Sequence, residues 1–570
     1  MKSRRQSLAE AKHRHNHPAY AKMTYLMGCP VQSRGAGARV ASESGEEYLA
    51  LFDQYGNQSL GYSHPRVVAA LQDQLASGVV NSTKIMFEPV PIQLAQTLAE
   101  LTGGQLPYSF ISNGGGEAID NALKIARART GRKNFVVAEG CFHGKTIATM
   151  DAAQREDHQD AFGEFMDCFV TVPFGDAEAL DAVVDEQTAA VLLEPVQAES
   201  GVIVPPADYL ARVRQRCDEV GALLILDEMQ TAWGRCGAPL AHQLFDVLPD
   251  LVCVGKAMGG GIMAISAVLG TETSWQIVHS LPSSFGSSLG GNPMSCRAAL
   301  EVVSIIGEPG FAQHQQALSD VIAERLPAMA RRFPDTIVEV RGLGTMWGVE
   351  LVDDAVAGQV LHSLLESRVT STYSLYRPSV VRVQPPMVLT VEELHGMLDL
   401  LEQAIAAAND AGTTQVASSS PLTAVLKSEL PADSWLDLLR QQPHYLDPFV
   451  GAAAGDLPES LAGWRAGEAG VVQGDLGLEP TEWADCVRWT EDGVLLSAVP
   501  DWLWKDLSRS FTVHPAQDGT SSIRIELRWD TDCGHHEPMI AGAVAGMVVA
   551  RLTSMPATYD PNCRIEWVSE

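Results

Sequence analysis

Lys256 is the residue of this chain whose position points most directly to chemistry. The apolar run 251–254 leads through Gly255 to Lys256, and three consecutive glycines follow at 259–261. Burying an ammonium group is costly unless it is paired or covalently bonded. A lysine shielded from water loses basicity and becomes a nucleophile toward aldehydes. An ordinary surface lysine after a strand is the structural alternative, and Lys256 alone does not decide between the two.

Asp227 follows a second apolar run, 223–226. A carboxylate at the C-terminal end of a strand lies where open α/β sheets bind ligands. Beside a pyridine nitrogen it would keep that nitrogen protonated. A lysine that forms a Schiff base, together with such an aspartate, is the minimal protein equipment for pyridoxal 5'-phosphate (PLP) chemistry. The structural alternative for Asp227 is a helix N-cap.

Two turns have the composition of a site for a flat, phosphorylated cofactor. Residues 114–116 are all glycine and precede a strong helical pattern. Such a turn exposes backbone N–H groups that bind phosphate at a helix N-terminus. Phe142 lies in the turn 140–146 among small residues and offers a ring that can stack on a cofactor. A core phenylalanine, with His143 as a hydrogen-bonded turn histidine, is the alternative.

Two carboxylates flank a proline turn after the apolar run 189–193. They are Glu194 and Glu199. Glu194 is equally consistent with a structural cap. Glu199 indicates ligand chemistry only if a cation faces it, and Arg382 is the candidate, since it lies in an alternating strand that ends at two prolines.

The segments around these residues predict an α/β fold. Between residues 20 and 410 the chain alternates apolar runs typical of buried parallel strands with helical patterns. The predicted strands are 134–138, 189–193 and 223–226, and two of the predicted helices are 117–129 and 208–220. This alternation indicates a mostly parallel sheet.

Composition excludes several classes of function. The net charge of −30 opposes binding to nucleic acid or to an anionic membrane. No apolar run is long enough to span a membrane, and the basic N-terminus is not followed by the apolar stretch of a secretory signal. Ten cysteines without framework spacing favour free thiols in a reducing cytoplasm.

The last quarter of the chain changes character after a small, polar stretch at 409–421, which we interpret as a linker. Residues 422–570 hold eight of the eleven tryptophans. Residues 522–529 alternate strictly and predict a half-buried strand, 540–552 predict a helix, and 564–568 predict a final strand. The tail is therefore predicted to be an extra α+β domain. Residues 532–537 include two histidines, but without a second ligand pair at metal-site spacing we predict no metal.

In order and spacing, these segments resemble the class III (ω-amino acid) aminotransferases of PLP fold type I. The resemblance covers residues 20–408 and is most specific at 226–237 combined with Lys256. Further matching segments are 140–146, 194–201, 290–293, 341–344 and 382–386. The resemblance implies a homodimer. It also implies an N-terminal arm with part of the small domain at 1–50, a large PLP-binding domain at 51–300 and a small domain at 301–408.

The resemblance also implies roles for individual residues. Lys256 and Asp227 correspond to the catalytic pair: the lysine that forms the Schiff base and moves the proton, and the partner of the pyridinium nitrogen. Gln230 is expected to hydrogen-bond the ring hydroxyl of the cofactor, and Ser288 to reach the phosphate of the partner subunit. The remaining residues expected at the cofactor are Gly115, Gly116, Phe142, His143, Glu194 and Met229.

On the substrate side the resemblance implies a switch. The arginine at 382 binds the α-carboxylate of glutamate or 2-oxoglutarate, and Glu199 masks it when an ω-amine enters. Tyr55 matches a substrate-side tyrosine of ornithine-type relatives, and Lys145 stands where several relatives carry an arginine for a substrate carboxylate. Lysine keeps that charge but lacks the bidentate fork.

Three positions depart from the family pattern. Gly114 and Gly116 remove two hydroxyl groups from the phosphate turn, so that only backbone N–H groups remain there. Leu289 replaces an aromatic residue beside Ser288, and Met229 replaces a valine.

We therefore expect a cytoplasmic PLP-dependent aminotransferase of the ω-amino class, with an amine donor such as ornithine or a diamine. The acceptor expected is 2-oxoglutarate or pyruvate, and the extra domain suggests a specialised biosynthetic pathway. Racemases, mutases and decarboxylases of the same fold are the alternative. A non-catalytic binding protein is a second alternative, and the intact Lys256 and Asp227 argue against it.

Overall fold

The computed structural model describes residues 4–17, 20–21, 24–25, 29–163 and 165–410, and beyond them the backbone of eight strands between 422 and 568. The first fifteen strands, in chain order, are β1 Gln32–Ala36, β2 Arg39–Ser42, β3 Glu47–Ala50, β4 Tyr108–Ser112, β5 Asn134–Ala138, β6 Phe169–Val172, β7 Thr188–Leu193, β8 Leu223–Asp227, β9 Leu251–Val254, β10 Ser266–Gly270, β11 Ile337–Leu343, β12 Met346–Leu351, β13 Val369–Thr370, β14 Tyr373–Ser374 and β15 Arg377–Val383.

The central sheet has seven strands in the order β4-β10-β9-β8-β7-β5-β6. The five strands from β9 to β6 run parallel, and β10 is antiparallel to both of its neighbours. Every residue of β7 and β8 is buried, as expected for parallel strands covered on both faces. The prediction of an α/β fold with a mostly parallel sheet is confirmed, and so are the three predicted strands.

Helices cover both faces of this sheet. They include Gly115–Thr130 and Tyr209–Val220, which confirm the two predicted helices, and each ends at a left-handed glycine. Elsewhere among the described residues the helices are Arg4–His15, Pro65–Ala76, Pro89–Leu101, Ile147–Ala152, Glu156–Phe162, Ala177–Val183, Glu272–Ser280, Pro293–Ile306, Pro309–Arg332, Asp354–Glu366 and Val391–Asp410.

The core lies in two layers, one on each face of the central sheet. On one face Ile119 and Ile125 of the helix Gly115–Thr130 pack with Phe135 of β5 and Ile225 of β8. On the other face, side chains of Tyr209–Val220 pack with alternate residues of the same strands. Because neighbouring residues of a strand point to opposite faces, the sheet is fixed on both sides and its carboxyl edge is a rigid platform.

Two smaller sheets complete the first 400 residues. One has the order β1-β2-β3-β13 and the other β11-β12-β15-β14. In the second sheet β12 pairs antiparallel with β15, so that Gly348 lies opposite Arg382.

The chain divides into two compact units. One contains Ser33–Glu350 and Arg368–Leu400, and with them the central sheet. The other contains Met1–Gln32, Leu351–Ser367 and Leu401–Glu570. Among the residues that the structure describes, no helix is long and apolar enough to cross a membrane.

Backbone beyond residue 421 forms eight strands: β16 Leu422–Ser428, β17 Arg465–Ala466, β18 Val472–Gln473, β19 Val487–Thr490, β20 Gly493–Ser497, β21 Ser508–Pro515, β22 Ser521–Arg528 and β23 Arg564–Val568. Six form an antiparallel sheet in the order β19-β20-β21-β22-β16-β23. The strands predicted at 522–529 and 564–568 are confirmed, the first one residue earlier. The predicted helix 540–552 and the histidine-containing stretch 532–537 lie outside the described residues.

The predicted linker begins too early. The helix Val391–Asp410 includes its first two residues. The apolar and alanine-rich repeat of that helix continues to residue 408, and the small polar residues that follow extend its last turn. The remaining residues, 411–421, lie outside those that the structure describes.

Candidate active site

Lys256 lies at the carboxyl edge of the central sheet. It begins the 3₁₀ helix Lys256–Gly259 directly after β9, and its own φ of 49° is left-handed. Such a conformation is uncommon for a residue other than glycine and persists where the surrounding structure enforces it. Trp233 helps to do so, because its Nε1 donates to the carbonyl of Gly255 at 2.9 Å.

Burial lowers the pKa of the Lys256 amine, and the charges of nearby carboxylates, Asp227 first, offset only part of this effect. A lowered pKa increases the unprotonated fraction of the amine near neutral pH. The position and the electrostatics of Lys256 therefore suit a nucleophile.

Asp227 ends β8, beside β9, and its carboxylate is buried and fixed. Its Oδ1 accepts a hydrogen bond from the backbone N–H of Met229 at 3.0 Å, and its Oδ2 lies 2.8 Å from Nδ1 of His143. Burial alone would lower the pKa of His143, but Cys141 and Asp227 outweigh it and hold the pKa above its usual value. The two hydrogen bonds fix the orientation of the Asp227 carboxylate, as the partner of a pyridinium nitrogen requires.

Glu194 lies close to this pair and is also buried. Its carboxylate accepts hydrogen bonds from the backbone N–H groups of Phe142 at 3.0 Å and Ala198 at 3.3 Å. Burial raises the pKa of Glu194 to about 7, with a smaller upward contribution from Asp227. The two hydrogen bonds tie the turn after β5 to the turn after β7. Glu194 thus has the capping role that the sequence left open, and it carries a proton at mildly acidic pH.

Glu199 and Arg382 meet in the interior. Arg382 is fully buried, and its Nη1 lies 3.4 Å from Oε1 of Glu199. Gln230 bridges the two, since it donates to Glu199 at 2.7 Å and accepts from Arg382 at 3.1 Å. Burial raises the pKa of Glu199, but the charge of Arg382 and the hydrogen bond from Gln230 lower it by more than burial raises it. The pKa of Glu199 is therefore below its ordinary value. The cation that the sequence analysis required beside Glu199 is therefore present.

A polar chain behind Arg382 was not identified from the sequence. Arg382 donates to Oε1 of Gln384, whose Nε2 donates to Asp53 at 3.0 Å. Asp53 in turn forms a fully buried ion pair with Arg235 at 2.6 Å. These residues come from three distant parts of the chain, so local patterns could not have assigned them. Buried charges without partners are costly. The presence of the charged residues Asp53 and Arg235 next to apolar residues was therefore the only sequence signal that they are paired in the interior.

The glycine turn fits a phosphate and is closely packed. A side chain at Gly116 would lie 2.9 Å from Thr146, and one at Gly115 would lie 3.2 Å from the sulfur of Met229. One at Gly255 would approach the same sulfur to 2.7 Å. At the start of the helix Gly115–Thr130 the first N–H groups have no partner within the helix. The turn can therefore hold an anion through backbone N–H groups, as PLP requires.

Aromatic side chains line the site. The rings of Phe142 and Tyr376 are 6.1 Å apart, and the N–H of Tyr376 donates to the carbonyl of Glu199 at 2.9 Å. Tyr55 stands edge-on to Phe52 at 4.9 Å, and the guanidinium of Arg382 lies 5.6 Å from the Phe52 ring.

Tyr55 also belongs to the surroundings of Lys256. The next residue, Gly56, has a left-handed φ of 85°, and a side chain there would lie 3.4 Å from Cδ of Lys256. The structure therefore brings the turn that carries Tyr55 against the predicted nucleophile.

Two predicted residues lie apart from this buried cluster. Lys145 and Ser288 are exposed, and within the described part of the chain no hydrogen bond joins either of them to it. No group of three potential metal ligands occurs among the residues described.

A mostly parallel sheet with a buried lysine and aspartate at its carboxyl edge, together with a glycine turn at a helix N-terminus, is the arrangement of a PLP-dependent enzyme of fold type I. Comparison with known proteins agrees. The family model for class III aminotransferases matches residues 20–405. This chain therefore belongs to the class III aminotransferases.

Solved structures similar to this chain include the ornithine aminotransferase from Toxoplasma gondii, at 31% identity and a TM-score of 0.63, covering 67% of this chain and 90% of that one. The acetylornithine aminotransferase from Elizabethkingia anophelis is 27% identical with a TM-score of 0.63, covering 71% of this chain and 100% of that one. A transaminase from the marine bacterium Virgibacillus shares the fold at 22% identity and a TM-score of 0.65, covering 71% and 99%.

The enzyme is thus a PLP-dependent class III transaminase, which takes an amine donor and an oxo-acid acceptor. The family match ends at residue 405, so the strands β16–β23 lie beyond it.

Proposed function

We propose that this transaminase moves the terminal amino group of an ω-amino donor, such as ornithine or a diamine, to 2-oxoglutarate or pyruvate. The observation that carries the proposal is the buried contact between Glu199 and Arg382. An arginine in the interior binds the α-carboxylate of an amino or oxo acid bidentately. With Glu199 against it, the same surface accepts an amine that has no carboxylate at that position.

The residues of this chain suit the cofactor in defined roles. Gly115 and Gly116 would hold the phosphate of PLP through backbone N–H groups, and Phe142 and Met229 would pack against its ring. Asp227, oriented by His143, would be the partner of the pyridine nitrogen. When bound, PLP supplies an electron sink for the charge that develops at the substrate carbon.

Lys256 performs the proton chemistry. Its amine, whose pKa burial lowers, would hold the cofactor covalently. Nζ of Lys256 would also be the base that takes a proton from the substrate carbon and gives it back. A lowered pKa leaves more of this amine unprotonated, as a base requires.

Glu199 and Arg382 act in alternation. With an ω-amine in the site, Glu199 stays on Arg382 and neutralises it. With 2-oxoglutarate in the site, the substrate carboxylate takes the place of Glu199 on the guanidinium. Gln230 holds both side chains in the resting arrangement, at 2.7 Å and 3.1 Å. Gln230 would also hydrogen-bond the ring hydroxyl of the cofactor.

The donor's own carboxylate would meet Tyr55 and Lys145 at the outer side of the site. Tyr55 is half exposed and Lys145 is exposed. The positive charge of Lys145 favours donors that carry an anionic group away from the reacting amine.

The enzyme acts as a homodimer in this proposal. Ile85 and Phe87 are 89% and 96% exposed, and Met86 between them is exposed as well. Nζ of Lys84 donates to the carbonyl of Gly290 at 2.5 Å, which joins this segment to the exposed Ser288 and Leu289. A second copy of the chain would cover this apolar surface and receive Ser288 at its phosphate.

Residues 422–570 form a separate domain in this proposal, joined by the linker after the helix Val391–Asp410. They shape substrate access or partner choice in a specialised biosynthetic pathway, or they stabilise the dimer. The seven cysteines described are all free, which supports a reducing cytoplasm.

The decisive experiment combines labelling with a donor screen. Borohydride reduction of the purified yellow protein is expected to leave the cofactor on the Lys256 peptide. Lys256→Ala is expected to bind PLP without turnover, and Lys124→Ala, an exposed lysine, serves as the control. Labelling of another lysine would refute the assignment.

The donor screen uses ornithine, putrescine and related amines with and without 2-oxoglutarate. The expected result is a new amino acid formed only when the oxo acid is present. A product that forms without any oxo acid would indicate a racemase, mutase or decarboxylase instead.

A further inference from the structure

The turn that carries Glu199 has a strained backbone. Two residues further on, Gly201 has a φ of 103°, and Val202 has a φ of 58° although it is β-branched and fully buried. A left-handed conformation is a genuine outlier for such a residue, and it survives only where neighbouring contacts enforce it. The contacts that hold this turn matter for substrate binding, because the geometry of the turn sets the direction of the Glu199 carboxylate.

Backbone hydrogen bonds hold part of this turn, since Val202 donates to Ala198 at 3.2 Å and Ile203 donates to Gln197 at 2.8 Å. Arg341 adds a charged side chain to these contacts. Its Nε donates to the carbonyl of Gly201 at 2.8 Å, and its Nη2 lies 2.6 Å from where a side chain at Gly201 would begin. The guanidinium thus occupies the space beside Gly201 and fixes the peptide between Gly201 and Val202. Among the described residues, the guanidinium of Arg341 is the charged group that hydrogen-bonds the peptide between Gly201 and Val202.

Arg341 is itself held by carboxylates. Its Nη1 lies 2.6 Å from Glu350 and 2.7 Å from Glu339, and Arg377 bonds the other oxygen of Glu350 at 2.7 Å. Only 10% of the Arg341 side chain is exposed. This network connects β11, β12 and β15, and β15 also carries Arg382. The turn that carries Glu199 and the strand that carries Arg382 are therefore set by the same side chains.

The sheet is shaped to receive the turn. Gly348 of β12 lies opposite Arg382, and a side chain at Gly348 would come within 3.0 Å of the Gly201 carbonyl and 3.4 Å of Val202. On the other side, Nη1 of Arg382 donates to the carbonyl of Ala198 at 3.3 Å. The turn is thus held between Arg341 at one end and Arg382 at the other.

We propose that Arg341 is a positioning residue for substrate selection: by holding the left-handed turn at Gly201 and Val202, it aims Glu199 at Arg382. This inference rests on the proposed alternation of Glu199 and Arg382. Without the guanidinium the strained peptide relaxes, and Glu199 no longer covers Arg382 in a fixed geometry. The half-reaction with an ω-amine then becomes slower, because it needs Glu199 on Arg382. The half-reaction with 2-oxoglutarate keeps its rate, because 2-oxoglutarate displaces Glu199 from Arg382.

The test measures the two half-reactions separately by stopped-flow absorbance of the holoenzyme. Arg341→Gln is expected to lower kcat/KM for the ω-amine about tenfold relative to kcat/KM for 2-oxoglutarate. Arg341→Lys keeps a donor for the carbonyl of Gly201. Its ratio of the two kcat/KM values is expected to lie between those of Arg341→Gln and the native enzyme. Arg331→Gln, at an exposed arginine of the helix Pro309–Arg332, is expected to leave it unchanged. Equal losses in both half-reactions for Arg341→Gln would overturn the inference.

A double-mutant cycle separates this inference from the proposal on which it rests. If Arg341 acts through Glu199, Arg341→Gln is expected to have no further effect on the ratio in a Glu199→Ala background. If Glu199→Ala changes the ratio and Arg341→Gln does not, the positioning role is wrong and the alternation stands. If Glu199→Ala itself leaves the ratio unchanged, the alternation is wrong and the positioning role falls with it.

Discussion

Nδ1 of His143 lies 2.8 Å from Oδ2 of Asp227, and both side chains are buried. The aspartate at the carboxyl edge of the sheet therefore has a fixed orientation before any ligand binds. His143 makes no hydrogen bond through Nε2 to the described residues, and Cys141 is a second group that acts on its charge. The pair is preorganised in the sense that catalysis requires.

The first prediction concerns this pair. Asp227→Ala is expected to lower kcat by about 10²- to 10³-fold, because it removes a preorganised charge. His143→Phe keeps a ring but loses the hydrogen bond, and is expected to lower kcat by about 10- to 100-fold. Steady-state kinetics with saturating PLP measure both. His242→Phe breaks a similar buried contact, 2.7 Å from Glu228, and is expected to affect stability without a comparable loss in kcat.

The second prediction concerns Glu199 and Arg382. Arg382→Ala is expected to impair the half-reaction with 2-oxoglutarate far more than that with the ω-amine, since only the former needs the guanidinium. Glu199→Ala is expected to raise activity toward α-amino donors such as glutamate. Single-turnover kinetics of each half-reaction provide the measurement. If either variant lost both half-reactions equally, no switch would exist.

The third prediction follows from the pKa of Glu194. Burial raises it from 4.5 to about 7, so between these values the folded state holds a proton that the unfolded state has released. Stability from this group is complete below pH 4.5 and is lost as pH rises through 7, by on the order of 3 kcal/mol. Glu194→Gln stays neutral and still accepts a hydrogen bond. Its apparent Tm is expected to fall less than that of the native enzyme between pH 5 and pH 8, and parallel curves would contradict this.

The fourth prediction concerns the packing of Met229 against two glycines. Gly255→Ala would place a methyl group 2.7 Å from the sulfur of Met229, closer than real contacts allow. Reduced stability and weaker PLP retention are expected, because Gly255 immediately precedes Lys256. Adding Met229→Val, the residue usual in the family, frees space and is expected to restore much of the loss. Thermal unfolding and absorbance titration with PLP test this. If Met229→Val restored nothing, the steric clash of the new methyl group would lie with another neighbour, such as Ser266.

The fifth prediction concerns residues 422–570, which we propose to be a separate domain. A chain that ends at Ala411 keeps the whole of the family match. If residues 422–570 shape access or partner choice, this shortened enzyme stays dimeric and yellow and its donor profile changes. The eight tryptophans of the tail suit such an interface. Aggregation or a monomer in light scattering would show instead that the tail stabilises the dimer.

The sequence predicted the fold well because its signals are local. Continuous apolar runs such as 189–193 mark strands buried on both faces, and the helix Tyr209–Val220 shows its own periodicity and glycine stop. The catalytic candidates were found for the same reason, because Asp227 and Lys256 each directly follow such a run.

The rest of the site depends on contacts between distant segments. The partners of Asp53 are Arg235 and Gln384, and Arg341 reaches a turn 140 residues away. One sequence contains no local pattern for such pairings. The left-handed Val202 runs against its own conformational preference, so propensity would predict the opposite of what is found.

The position of Asp53 has a consequence for how the enzyme is made. This aspartate emerges from the ribosome before its buried ion-pair partner Arg235 and before Gln384, whose amide also bonds it. An unpaired carboxylate cannot be buried cheaply, so the segment around Asp53 must stay in contact with water while the 182 residues up to Arg235 are synthesised, on the order of ten or more seconds at typical rates. Throughout that time the nascent chain exposes apolar side chains that the folded protein buries. Expression yield should therefore depend on chaperones and translation speed more than final stability would suggest.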